Sequence, residues 1–516
     1  MKTKFLSRFN FTPKIHWAKL SFIFLGISST AWFLMRVIPK PSRAAYPCMR
    51  TAAPIMSSFV LWLIALVGSM AAFRLFQINK AKSKFGLAAL FLVGSLCFAL
   101  VTLNSRQDKL NANPPAIQKF SANAPMGVER GIFPGRVVWV HDKKVATWDK
   151  KTGFWWEDAF ISQKESDRML LSSITSLTGQ RKAAKAWEQL FVHFNTTKNK
   201  GNFGYKTGQK IAIKINQNNT DSHKNTNEIN ATPQLMLSVL KSLVNDAKVA
   251  QKDITVFDAS RFITDNIFDK CHAAFPEVVF VDNSGGDGRV KAEYVDNALP
   301  YSIVNGKLAT GLAKCVVEAD YLINLAILKG HVGQGVTLCG KNYYGATSIN
   351  ADWRKNGHDN FDPDREGKPR FMTFVDFMGH KDLGEKTVLF LLDGFIGTKM
   401  LNGVPEDYWK MSPFNGNWAC SLFASQDGVA IDAVGIDFLI NEFPDAPDLN
   451  TRSDQYLIEA SLANDPPSKT FYDPERDKTR CTSLGVLEHW NNATDKKYSR
   501  NLGKKKGIEL LPIELN

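Results

Sequence analysis

An α/β fold, a mostly parallel sheet flanked by helices behind an N-terminal transmembrane helical region, is predicted by three observations. Short apolar runs of strand length alternate with stretches of helical spacing between Lys210 and Asn441. One of these runs, Tyr321–Leu328 (YLINLAIL), has the length and Leu/Ile content of a buried strand. Several runs also end in Lys, Asn, Asp or His. Alternating strands and helices imply parallel strands covered on both faces. In open sheets of this kind, ligands bind where the loops leave the carboxyl ends of the strands. Function is therefore expected at the polar strand ends.

At 516 residues, with 44% of them hydrophobic, the chain is longer than one ordinary globular domain. Its net charge is +14, but residues 1–109 carry 15 Lys and Arg against a single acid, Asp108, leaving 49 bases and 49 acids in the remainder. All the excess lies beside long apolar runs, as expected of membrane topology signals and contact with anionic lipid. A basic nucleic-acid-binding surface is excluded as the leading explanation of the charge.

Three apolar segments occupy the first fifth of the chain. Ala52–Phe73 and Phe85–Leu103 are each long enough to span about 30 Å of hydrocarbon. Leu20–Met35 is shorter, and reads either as a third span or as a cleaved signal peptide. Residues 1–103 are thus expected to form a membrane anchor with two or three transmembrane helices. Basic residues number nine in the N-terminal tail and the 74–84 loop, against seven in the 36–50 loop and after the last span. The positive-inside rule then places the large domain outside the cytoplasm. Residues 104–126, polar and rich in Asn, Ala and Pro, form a linker, and 127–516 a soluble α/β domain.

The soluble part opens with an aromatic-rich stretch, VVWVHDKKVATWDKKTGFWWED (137–158), whose tryptophans suit either core packing or ligand stacking. A helical stretch follows through Met169–Phe194. KIAIKIN (210–216) reads as a strand. Thr232-Pro233 starts a helix, with Thr as N-cap and Pro at the first position. Leu235, Val239, Leu240, Leu243 and Val244 supply its apolar face. Further strands are expected at 253–258, 278–282, 321–328 and 387–393, and helices at 311–318 and 428–441. Residues 350–384 and 399–418 are irregular, as loops over a site or a small subdomain would be.

Chemistry concentrates at the strand ends. The first strand gives Lys214 and Asn216, then Asn218; the second gives Asp258, Ser260 and Arg261. The Tyr321 strand is expected to stop at Lys329-Gly330-His331, ahead of a glycine-rich turn, with Lys341 and Asn342 downstream; the 387–393 strand ends at Asp393. Lysines on apolar strands are costly to bury unless they meet a carboxylate, phosphate or other acceptor. Two readings stay open. In one, Lys214–Asp258 and Lys329–Asp393 are structural ion pairs. In the other, Lys214, Asn216, Asp258, Ser260, Lys341, Asn342 and Asp393 line a cleft for a small anionic ligand, with Lys329 and His331 as acid–base groups.

No cofactor can be named. None of the seven cysteines forms a CxxC, and no Cys/His spacing fits zinc or an iron–sulfur cluster. Five cysteines fall in the soluble part, an odd number, so they cannot all pair there. His331, His358 and His380, with Asp359, Asp362, Asp364 and Asp376, lie close enough in sequence to reach one cleft, so a His/Asp metal site stays open as an alternative, although no two stand at a recognised metal-ligand spacing. GGDGR (285–289) lacks the dinucleotide fingerprint order, and there is no Walker lysine or nucleophile elbow.

The stretch ADYLINLAILKGHVGQGVTLCGKNYYG (319–345) carries Lys329-x-His331, Gly335-x-Thr337 and Lys341-Asn342-x-x-Gly345 in that order. This order resembles the signature of the uncharacterised domain-of-unknown-function family 362. KIAIKIN, ITVFDAS (254–260), LLDG (391–394) and SQDGVAIDAVG (425–435) look like its other elements, so the resemblance covers roughly 205–445. The flanking segments resemble those of a membrane-anchored bacterial subgroup, which implies an inner-membrane protein with its soluble domain in the periplasm. Some relatives carry ferredoxin-like cysteine clusters; this chain lacks them, so the resemblance does not extend to electron transfer. Two functions are therefore expected as alternatives: an enzyme acting on a small anionic substrate, or a non-catalytic envelope binding or interaction protein. An enzyme would gather Lys329, His331 and Lys341 in one closed cavity, whereas a scaffold would disperse them into separate ion pairs.

Overall fold

The computed structural model describes residues 121–515 except 304–309, 332–333, 349–370, 401, 447–448 and 450–452. Before these it describes positions between 27 and 93, continuously from 47 to 82. The chain divides into two units, Met1–Ala116 and Ile117–Asn516. In the first unit an α-helix runs from Pro47 to Ala81. Its portion Trp62–Ala81 is, among the described residues, the one helical stretch long and apolar enough to cross a membrane. It overlaps the expected segment Ala52–Phe73. Half of the expected span Leu20–Met35 and most of Phe85–Leu103 lie outside the described residues.

The second unit is built on a ten-stranded sheet. Its strands are β1 (Arg136–His141), β2 (Ile211–Ile215), β3 (Ile254–Asp258), β4 (Val279–Asp282) and β5 (Val290–Lys291). Then follow β6 (Tyr321–His331), β7 (Gly335–Thr337), β8 (Thr387–Thr398), β9 (Ser421–Ser425) and β10 (Glu509–Glu514). The order across the sheet is β10-β1-β9-β8-β6-β2-β3-β4-β5, with β7 folded back on β6. From β8 to β5 every neighbouring pair is parallel, while β9 runs antiparallel to both β8 and β1.

Alternation along each strand feeds two cores. Ile211, Ile213 and Ile215 of β2, with Tyr321, Ile323, Leu325 and Ile327 of β6, enter one; Ala212, Leu322, Ala326 and Leu328 enter the other. A strand covered on both faces needs apolar side chains on both, which is why YLINLAIL is nearly continuous rather than alternating. Helices α1 (Gln163–Thr178), α2 (Ala183–Thr197), α3 (Pro233–Lys241) and α4 (Asp265–Ala274) pack on the isoleucine face. On the other face lie α5 (Cys339–Asn342), α6 (Thr373–Gly379), α7 (Gly428–Glu442) and α8 (Gln455–Ser461). Helix α3 starts at Thr232-Pro233 as expected, and Asp427 caps α7 by accepting the N–H groups of Val429 and Ala430 at 3.1 and 2.9 Å.

Four expectations are corrected. The strand expected to stop at Lys329 continues to His331 and turns back as β7, so that Thr337 lies opposite Lys329. The presumed helix 311–318 is a strand, Thr310–Ala313, followed by one turn of helix, Lys314–Val317; that strand pairs with Tyr294–Leu299, and tertiary pairing overrides the local helical spacing. The stretch 169–194 is two helices, divided at Gly179, which takes a left-handed φ of 70° and closes α1. Strand β8 runs five residues beyond Asp393. At the end of the 104–126 stretch, Asn123 bonds to His489 and Met126 pairs with Leu487.

Trp148 and Trp155 are fully buried, and Trp139 stacks on Phe423. The aromatic stretch thus serves the core. The five cysteines of the second unit are all free, with Cys339 buried and Cys315 half-buried.

Candidate functional site

The chain leaves β2, runs outward through β3, β4 and β5, and returns to the other side of β2 as β6. The strand order reverses between β2 and β6, and a crevice opens at the carboxyl ends of the strands at such a switch point. Lys214 lies near the end of β2, Asp258 ends β3, and Lys329 and His331 end β6. A cavity of about 80 Å³ lies there. Eight of the nine residues expected at the site line it: Lys214, Asn216, Asp258, Ser260, Lys329, His331, Lys341 and Asn342.

These residues form two layers. In the inner one, Lys214 Nζ donates to Asp258 Oδ2 at 3.0 Å, to Asn342 Oδ1 at 3.1 Å and to the Ile215 carbonyl. All three ammonium protons are thereby used. Asp258 Oδ2 also accepts the Gln217 N–H at 3.1 Å, and its Oδ1 accepts the N–H and hydroxyl of Ser260 at 3.1 and 3.0 Å. Asn342 donates to Asn324 Oδ1 at 2.8 Å and to the Lys214 carbonyl at 3.2 Å, which fastens α5 to the two central strands. Burial lowers the pKa of Lys214, against the opposing pull of Asp258. Gly345 backs onto this layer: a Cβ there would lie 2.6 Å from both Asp258 Oδ1 and Lys214 Nζ. The glycine of Lys-Asn-x-x-Gly is thus required by close approach rather than by backbone angle.

The outer layer faces the cavity. Lys329 is wholly buried and donates to Asn218 Oδ1 at 3.2 Å. Its pKa lies well below the usual lysine range because burial disfavours the ammonium and because Lys341 and Arg261 are nearby. Lys341 sits on α5, whose first turn is held by Asp432. That carboxylate accepts the N–H groups of Cys339 and Gly340 and the hydroxyl of Tyr456, each at 2.8 Å. Burial raises its pKa to about 6. Lys214, Arg261, Lys329 and Lys341 face one carboxylate, Asp258, among the described lining residues. Converging cations and amides of this kind suit an oxyanion.

Asp393 stands apart. It is buried on β8, where it accepts the Thr232 N–H at 3.0 Å and the Phe395 N–H at 3.2 Å, joining the start of α3 to the sheet. The conjectured Lys329–Asp393 pair is replaced by the Lys329–Asn218 bond, whereas the Lys214–Asp258 pair is present.

Gln217, Thr337 and Tyr344 also line the cavity without having been singled out as site residues. The signal for Gln217 was its place between Asn216 and Asn218 just after a strand; Thr337 belongs to the Gly-x-Thr step. His380 bonds to the Ala298 carbonyl, Asp376 bonds to Ser302, and His358 with its neighbouring acids lies outside the described residues. Among the described residues, no group of three or more His, Cys, Asp or Glu side chains is placed to hold a metal ion.

Sheet and crevice together define an open, mostly parallel α/β protein with a basic, amide-rich cavity at its switch point. Residues 211–437 match the family model described as Domain of unknown function (DUF362), and this match supports membership of that family. The match spans β2 to α7 and so contains every residue of the candidate site. No curated protein and no solved structure matches the chain.

Proposed function

We propose that the switch-point cleft binds a small anionic ligand, a carboxylate or a phosphate, and acts on it with Lys329 and His331 as acid–base groups. The observation that carries this reading is that Lys329, His331 and Lys341 line one cavity at the strand ends. Burial of Lys329 favours its neutral amine over the ammonium, and the neutral amine is the form general-base work requires. The inner Lys214–Asp258–Asn342 network fixes the strand ends on which the outer groups stand.

We further propose that the domain is anchored in a bacterial inner membrane and faces the periplasm. The apolar helix Trp62–Ala81 and the concentration of positive charge in residues 1–109 support this. A topology reporter fused after residue 110 should be active only on the extracytoplasmic side; cytoplasmic activity would overturn the orientation. For the cleft, calorimetric titration of the full-length chain with inorganic phosphate and with acetate should show saturable binding of at least one of them. Lys329→Met should weaken that binding about ten-fold or more, by analogy with other desolvated charge contacts. Equal affinity in wild type and variant would refute the site.

A further inference from the structure

The cleft holds more than cations. Gln217 and Thr337, 2% and 3% exposed, and Asn216, 9% exposed, all line the cavity. Gln217 Nε2 and Oε1, Asn216 Oδ1 and Thr337 Oγ1 are buried and have no hydrogen-bond partner among the described residues. Four such atoms around one small space are out of keeping with protein interiors, where buried polar groups are paired. The Gln217 main chain is fixed at the cavity, its backbone N–H bonded to Asp258 Oδ2 at 3.1 Å.

Two of these atoms, Gln217 Oε1 and Asn216 Oδ1, can only accept. A fully ionised oxyanion alone offers them nothing, since it only accepts. The ligand must therefore bring a hydrogen-bond donor along with its negative charge. An ammonium would donate, but here it would enter a space already bordered by Lys214, Arg261, Lys329 and Lys341. A hydroxyl donates without adding charge and can accept in turn from Gln217 Nε2 or Thr337. The cavity, about 80 Å³, is roughly half the ~150 Å³ that accommodates benzene, so it takes an anionic head and an adjacent hydroxyl rather than a large body.

We infer that the cleft selects anions carrying a hydroxyl group close to the charge, the cations holding the anion and the Asn216–Gln217–Thr337 set reading the hydroxyl. This inference rests on the anion-binding reading above and narrows its ligand class. It is tested by calorimetry on the full-length protein in detergent with two matched pairs, glycolate against acetate and glycerol 1-phosphate against propyl phosphate; the arm that binds identifies the anionic group. In that arm the hydroxylated member should bind about ten-fold or more tightly than its partner, as in sites built to pair a substrate hydroxyl. Gln217→Met should bring the two members to within about three-fold of each other. Thr337→Val, checked like Gln217→Met for an unaltered unfolding transition, should reduce the same discrimination. Equal affinity within both pairs in the wild type would overturn the hydroxyl inference and leave the anion site standing. Tighter binding of glycine than of glycolate would overturn the choice of hydroxyl over ammonium. Failure of all four probes to bind would overturn both.

Discussion

Lys214 and Asp258 meet at 3.0 Å across the neighbouring strands β2 and β3, with 1% and 2% of their side chains exposed. Breaking one side of such a pair leaves an uncompensated buried charge. Lys214→Met or Asp258→Asn should each cost about 3–5 kcal/mol of stability in denaturant unfolding. The double replacement, Lys214→Met with Asp258→Asn, should cost less than the sum of the separate changes because no lone charge remains. Additive losses would mean that the pair is not coupled.

Asp432 acts at one remove from the cavity. Its carboxylate holds the first turn of α5, and α5 carries Lys341 and Asn342. Asp432→Ala strands two N–H groups and the Tyr456 hydroxyl, and should lower stability by at least about 2 kcal/mol. Tyr456→Phe removes a single bond and should cost about 1 kcal/mol. Both should weaken anion binding through misplacement of Lys341, read by calorimetry under conditions where the variants remain folded.

Lys329 couples the site to pH. Burial, reinforced by Lys341 and Arg261, holds its pKa well below the usual lysine range. Between that lowered value and the unfolded value of about 10.4, the unfolded chain binds more protons than the folded one, so this residue makes stability rise with pH across the window. An anion in the cleft favours the ammonium. Binding should therefore take up a proton, and affinity should fall as pH rises above the lowered pKa. Calorimetry in buffers of different ionisation enthalpy should report proton uptake in the wild type and none in Lys329→Met.

His489 gives a pH dependence of the opposite sign. Its Nδ1 lies 2.6 Å from Asp437 Oδ1 and its Nε2 3.0 Å from Asp454 Oδ2. Burial works against the charged ring, but the two carboxylates outweigh it and raise the pKa to about 11. A raised folded value means that this contribution is fully present below the unfolded value of about 6.5 and is lost as pH climbs towards 11. His489→Gln should be less stable than wild type at pH 6, and the gap should narrow as pH approaches 10 in thermal unfolding.

The sequence made the scaffold legible where one signal dominated. Tyr321–Leu328 could be read as a doubly buried strand because both faces are apolar, and Thr232-Pro233 as a helix start because capping chemistry is local. The end of β6 was not legible. Lys329-Gly330-His331 looks like a terminus, yet pairing with Gly335–Thr337 extends the strand through it. That extension buries Lys329 completely, which no local pattern foretold. Strand-end polarity pointed to eight cavity residues but did not separate the self-satisfied Lys214–Asp258–Asn342 layer from the outward-facing groups. Hydrogen-bond accounting requires the three-dimensional neighbours. Asp393 illustrates the same limit: its strand-end position matched the others, while its partners lie at the start of α3.

The central claim, an anion held between Lys329 and Lys341 at the β2–β6 switch point, is tested most directly by a crystal structure grown in selenate, with anomalous scattering locating the selenium. The account predicts an anomalous peak inside the cavity, within hydrogen-bond reach of both Lys329 Nζ and Lys341 Nζ, and its loss in Lys329→Met crystals grown identically. A cavity without selenium in a crystal that binds selenate elsewhere, or Lys329 and Lys341 turned away from each other, would contradict it.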